Sequence, residues 1–117
     1  MSDNTPSEDL IKDALTLLTK LREVGKIRKG TNEVTKCIER GVARLVYIAE
    51  DVTPPEVIRH LPILAKEKNV AFLNIPSSER LGNAAGLDVG AASVAIQDAG
   101  SADADLKSII DRVKQFN

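Results

Sequence analysis

The run Ile27-Arg28-Lys29-Gly30-Thr31-Asn32-Glu33-Val34-Thr35-Lys36 gathers an amide, a carboxylate and several cations around one glycine. A glycine just before a helix start permits close approach to the backbone, and the first helical turn presents N–H donors without intrahelical acceptors. Asn32 and Lys36 stand one turn apart, and Glu33 and Lys36 are also neighbours on a helix surface. A purely phosphate-binding patch would use cations alone, because Glu33 repels an anion. A carboxylate beside cations suits a base edge that carries both donors and acceptors, and guanine is such a base. An ordinary helix start, with Asn32 capping and Glu33 complementing the dipole, fits the same spacing equally well.

Other chemistries fit less well. Gly25 and Gly30 have Walker A spacing, but the lysine that must follow the second glycine is absent, and so is a dinucleotide-type glycine triplet. His60 is the single histidine and precedes Leu61-Pro62, a helix-breaking context that points to a structural role. Cys37 falls on the apolar side of its helix with Val34 and Ile38, as a small core residue would. The Glu50-Asp51 pair follows a strand, where an active site can sit in an α/β fold, yet no second acidic pair or histidine converges on it. A solvated strand end or a helix cap is the better reading of that pair. The single cysteine rules out an internal disulfide and a multi-thiolate zinc site. No metal, no cofactor and no enzymatic activity are expected.

Charge distribution sharpens this. Between Lys20 and Arg44 there are eight basic residues against three acids, a net of +5, while the rest of the chain is −6 and the whole is −1. A basic face on an acidic body can still attract phosphate, because the field at the contact surface decides. With 117 residues, 43% hydrophobic and 28% charged, the chain fits one folded domain over 1–117. No apolar run approaches the roughly 18 residues that span a bilayer. The polar, acidic start MSDNTPSEDL lacks the features of a signal peptide, so a cytoplasmic protein is expected.

The elements that must position this patch follow from periodicity. Thr5-Pro6-Ser7-Glu8 reads as a capping box with proline at the first helical position, and the helix should run to about Glu23 and stop at Gly25. Lys26 to Lys29 is a short strand. Thr31 or Asn32 caps a second helix that Gly41 closes. Ala43 to Ala49 is a central strand buried on both faces. Thr53-Pro54-Pro55-Glu56 opens a third helix, broken near His60-Leu61-Pro62 and resumed to about Lys68. Val70 to Ile75 is a strand, and Ser77 or Ser78 opens a helix ending at Gly86. Leu87 to Ala91 is a loop, Ala92 to Gln97 a strand, and Ser101 to Phe116 the last helix. The alternation predicts a three-layer α/β/α sandwich around a small mixed four-stranded sheet.

The run Ile27–Lys36 with Glu39-Arg40-Gly41, together with Ala49-Glu50-Asp51, Pro54-Pro55-Glu56, His60-Leu61-Pro62, Leu81-Gly82, Ala84-Ala85-Gly86 and Ala92–Ile96, resembles the kink-turn-binding family of the archaeal ribosomal protein L7Ae. The resemblance extends continuously from about Leu15 to Ile96. It implies a kink-turn RNA ligand, in which sheared G·A pairs expose guanine edges beside a sharp bend. Asn32, Glu33 and Lys36 would then read guanines. Gly30 and Thr31 would let the backbone approach, and Lys26, Arg28, Lys29 and Arg40 would hold phosphates. Val57 matches the position packed against a flipped-out bulge nucleotide, and Leu87, Asp88, Val89 and Ala91 match the loop that closes over it. The resemblance further implies ribosomal RNA, box C/D and H/ACA guide RNA or RNase P RNA as ligands. A Nop-type scaffold and fibrillarin would be partners within box C/D particles, and the protein alone would be monomeric. A rival reading is a protein-interaction or regulatory module that keeps the fold without RNA.

Overall fold

All five residues of the second strand are buried, and their alternation divides them between two cores. Leu45, Tyr47 and Ala49 face one helical layer, Val46 and Ile48 the other. A sheet covered on both faces requires this continuous apolar run. The computed structural model describes residues 6–116 and has the element order α1 (Glu8–Val24), β1 (Lys26–Lys29), α2 (Thr31–Glu39), β2 (Leu45–Ala49), α3 (His60–Glu67), β3 (Ala71–Ile75), α4 (Ser78–Ala84), β4 (Ser93–Asp98) and α5 (Asp103–Phe116). Single 3₁₀ turns at Pro55–Val57 and Gly100–Ala102 precede α3 and α5.

The sheet order is β1-β4-β2-β3, with β2 and β3 parallel and the other pairs antiparallel. Helices α1, α4 and α5 pack on one face around Leu18, Leu81 and Leu106. Helices α2 and α3 cover the other face with Val34, Ile38 and Leu61. The expected α/β/α sandwich around a mixed four-stranded sheet is therefore present.

The helix boundaries depart from the sequence reading in three places. Thr5, the expected first cap, lies outside the described residues. Ser7 caps α1, its Oγ accepting from Leu10 N, so Pro6 precedes the cap and is not the first helical residue. The second helix is capped by Gly30, not by Thr31 or Asn32, and no side chain serves as the cap. The third departure lies between Pro55 and Glu67. Only a 3₁₀ turn forms at Pro55–Val57, Thr53 makes no cap bond there, and Pro62 sits inside the first turn of α3. Proline is tolerated in that turn because its missing N–H has no intrahelical acceptor to lose.

Candidate nucleic-acid interface

One end of the sheet gathers four chain segments. Gly30 N donates to Ser93 O at 3.1 Å, which ties the start of α2 to the start of β4. Ala49 N donates to Ala92 O at 2.9 Å and Glu50 N to Ile75 O at 2.8 Å, so the ends of β2 and β3 meet the same edge. Asp51 Oδ1 accepts from Ser78 N at 2.9 Å and so braces the start of α4. The Asp51 carboxylate is thereby accounted for as a helix brace. The start of α2, the segment from Glu50 to Val57, the start of α4 and the loop from Leu87 to Ala92 are thus neighbours.

Gly30 has φ 95° and ψ 148°, a conformation that side-chain-bearing residues seldom adopt. A Cβ built there would meet nothing within 4 Å, so the backbone conformation, not crowding, demands glycine. Gly30 O accepts the first helical bond, from Val34 N at 2.9 Å. With no side-chain cap, the first-turn N–H groups stay available to a ligand. Thr31 turns inward: its Oγ1 is buried without a hydrogen-bond partner, and its carbonyl accepts from Thr35 Oγ1 at 2.7 Å.

Asn32, Glu33 and Lys36 are all exposed on α2, while Val34, Cys37 and Ile38 enter the core. The Glu33 carboxylate and the Lys36 ammonium lie 3.8 Å apart. Because Gly30 does the capping, the Asn32 amide is left free for other work, and the reading of Asn32 as an ordinary cap fails. Glu33, in the first turn, still complements the helix dipole. On the flank of the patch, Thr35 Oγ1 meets His60 Nε2 at 2.9 Å, a structural tie between α2 and α3.

The cations divide. Lys26 and Lys29 are exposed on β1, whereas Arg28 is half-buried and donates from Nε to Gln97 Oε1 at 2.9 Å. Arg28 points to the α2 side, where its charge and that of Arg40 act on Cys37. Burial nevertheless pushes the Cys37 thiol up from its ordinary range, against those two charges. Arg40 continues the Asn32–Lys36 stripe at the far end of α2, about 12 Å along the axis from Asn32 at 1.5 Å per residue.

Val57 is 42% exposed in its 3₁₀ turn and Val89 is 69% exposed, giving two apolar side chains to solvent. The loop carrying Val89 is tied down on α4 by Leu87 N to Gly82 O at 2.9 Å and Ala91 N to Ser78 O at 3.0 Å. Gly82 has to be glycine, because a Cβ there would collide with Val89 O. Asp88 and Val89 project, while Leu87 packs partly against the core. Ala91 is 4% exposed, so its side chain belongs to the core and only its backbone can meet a ligand. The sequence reading had placed Ala91 with its exposed neighbours. It also left two residues out of the site: Gln97, which orients Arg28, and Arg22, which lies against Gly86 beside Lys26 and Lys29. Arg22 could have been found from its place in the basic run, but Gln97 gives no local signal. No helix among the described residues is long and apolar enough to cross a membrane.

The arrangement offers hydrogen-bond donors and acceptors for base edges, cations for phosphates, and two valines for an unstacked base. Comparisons with known proteins agree with its character. The family described as ribosomal protein L7Ae/L30e/S12e/Gadd45 matches residues 12–105. The large ribosomal subunit protein eL8 of Methanobrevibacter smithii is 48% identical over 113 residues, covering 97% of this chain and 91% of its own. That of Haloquadratum walsbyi is 49% identical over 108 residues, covering 92% and 90%. Among solved structures, the Giardia lamblia 15.5kD RNA binding protein superposes with a TM-score of 0.92 at 29% identity, over 97% of this chain and 94% of that one.

Proposed function

Because this chain belongs to the ribosomal protein L7Ae/L30e/S12e/Gadd45 family, we propose that it is a non-catalytic RNA-binding protein that recognises kink turns and holds them in the bent form. The observation that carries this reading is the joint exposure of Asn32, Glu33 and Lys36 at an uncapped helix start. Glu33 accepts from guanine N–H groups, Lys36 and Asn32 pair with acceptor edges, and the first-turn N–H groups add donors. A-form RNA keeps its base edges too deep for such side chains, so the reading requires an RNA whose guanines are displaced from normal pairing. Val57 and Val89 cover the face of a flipped-out nucleotide, with Leu87, Asp88 and the Ala91 backbone shaping that loop. Lys26, Arg28, Lys29 and Arg40 hold phosphates.

The relatives named above are ribosomal proteins, which supports ribosomal RNA as one ligand and the cytoplasm as the place of action. In this proposal the same surface serves box C/D and H/ACA guide RNAs and RNase P RNA. A Nop-type scaffold and fibrillarin join it in the box C/D case, while another subunit performs the chemistry in each particle. The chain acts as a single domain over 1–117 and as a monomer. By binding the bent form more tightly than the open one, it shifts the RNA population by that difference in affinity.

The test is a gel-shift titration with a kink-turn RNA and with the same RNA after its G·A pairs are replaced. Each lost base contact is worth about 1–3 kcal/mol, so affinity should fall by about tenfold to a hundredfold on replacement. Equal affinity for both RNAs would reduce the patch to a generic phosphate-binding surface.

A further inference from the structure

A second basic feature lies behind β1, between the ends of α1 and α4. Arg22, Lys26 and Lys29 line a cleft of about 320 Å³ together with Gly25, Ile27 and Gly86. Arg22 lies close on Gly86: a Cβ at that glycine would stand 2.5 Å from Arg22 Nε. Gly86 also has φ 87°, which disfavours any side chain there. No carboxylate lines the cleft among the described residues. Nor does any of the three cations have an ion-pair partner among them. Asp98, the register partner of Lys26, has its Oδ1 bonded to Gly100 N at 2.9 Å.

The simplest alternative is that these cations neutralise the helix ends. Both α1 and α4 terminate here, each presenting roughly half a negative charge. Three unit charges exceed two half charges by about two, so a net positive cleft remains. An excess of that size, unpaired and held beside the glycine that starts α2, fits a phosphate.

We infer that Arg22, Lys26 and Lys29 together seat one phosphodiester of the bound RNA, on the opposite side of β1 from Arg28 and outside the patch that reads bases. This rests on the RNA-binding reading above and adds Arg22 to it. The seat contributes affinity and orientation without base selectivity, because a phosphate carries no sequence information.

The experiment measures the affinity of the full chain and of Arg22→Gln for kink-turn RNA across about a fourfold range of salt, with the G·A-replaced RNA as the parallel ligand. Each phosphate contact contributes about 0.7–0.9 to the slope of log affinity against log salt. Arg22→Gln should lose about that much slope, and its affinity deficit should be about threefold larger at the low-salt end. Arg22→Lys should retain the slope, and both variants should keep the wild-type preference for intact G·A pairs. An unchanged slope in Arg22→Gln, with that preference intact, would overturn the seat alone. Loss of the preference in the wild type would overturn the kink-turn reading and the seat with it.

Discussion

The Glu33 carboxylate stands 3.8 Å from the Lys36 ammonium across one turn of α2, and both side chains are about half exposed. An exposed pair of this kind stabilises a helix by only about 0.2–0.5 kcal/mol. The two groups therefore hold each other in place weakly and can part for a ligand at small cost. Glu33→Ala or Lys36→Ala should weaken kink-turn binding by about 1–3 kcal/mol each. Loss of the Glu33 charge from the first turn should cost the fold no more than about 1 kcal/mol. Titrations on kink-turn RNA and on plain duplex, beside thermal melts, separate the effects. Equal losses on both RNAs would contradict a base-reading role.

Gly30 offers a sharper test of the helix start. Its φ of 95° and ψ of 148° are costly for any residue with a Cβ, yet no neighbouring atom would obstruct one. Gly30→Ala should therefore destabilise the fold by about 1–3 kcal/mol through backbone strain alone. Denaturant unfolding reads this directly. A neutral substitution would mean that the start of α2 adopts a different backbone in solution.

The same residue shows where the sequence stops being informative. Local preference favours Thr31 or Asn32 as the cap, because short polar side chains usually fill that role. The actual cap is set by the hydrogen bond from Gly30 N to Ser93 O, a partner far along the chain. Arg28 is similar, since Gln97 binds it only after β1 and β4 have paired. Ala91 looks like part of an exposed loop until the bare face of Gly82 brings that loop down onto α4. By contrast, the apolar run of β2, the stop at Gly25 and the exposure of Asn32, Glu33 and Lys36 depend on local pattern. These features were legible, as was the three-layer architecture that their alternation implies.

Tyr47 supplies a pH test. Its hydroxyl donates to Ala14 O at 2.6 Å, and burial holds its pKa well above the ordinary tyrosine value. The unfolded chain releases this proton near pH 10, whereas the folded chain retains it. The stabilisation is therefore complete below about pH 10 and declines as pH rises further, by about 1.4 kcal/mol per unit. Tyr47→Phe should cost about 0.5–1.5 kcal/mol at neutral pH and remove this part of the alkaline decline. The chain has one tyrosine, so phenolate absorbance reports this group alone. Ionisation near pH 10 in the folded protein would exclude the buried hydrogen bond.

Cys37 is 3% exposed, and burial raises its thiol pKa despite the Arg28 and Arg40 charges. Since the thiolate is the reactive form, the native protein should resist a thiol reagent and react as it unfolds. Labelling followed across a denaturant titration should track the unfolding curve. Rapid labelling of the native protein would place Cys37 in a more open setting than the packed face of α2.

The loop that carries Val89 depends on what Gly82 lacks. A Cβ at this buried position would overlap Val89 O and stand 3.0 Å from the Gly90 backbone, and neither can rotate away as a side-chain tip could. Gly82→Ala should thus displace the loop from Leu87 to Ala91 and lower stability by about 1–3 kcal/mol, while the sheet and the α2 patch persist. The amides of Leu87 and Ala91, now bonded to Gly82 O and Ser78 O, should exchange with solvent faster. If the loop closes over an unstacked nucleotide, the variant should also bind kink-turn RNA more weakly while keeping its discrimination against replaced G·A pairs. Asp88→Ala, at an exposed position of the same loop, should leave stability within about 0.5 kcal/mol of wild type. Faster exchange without any loss of RNA affinity would show that the loop packs as described but takes no part in binding.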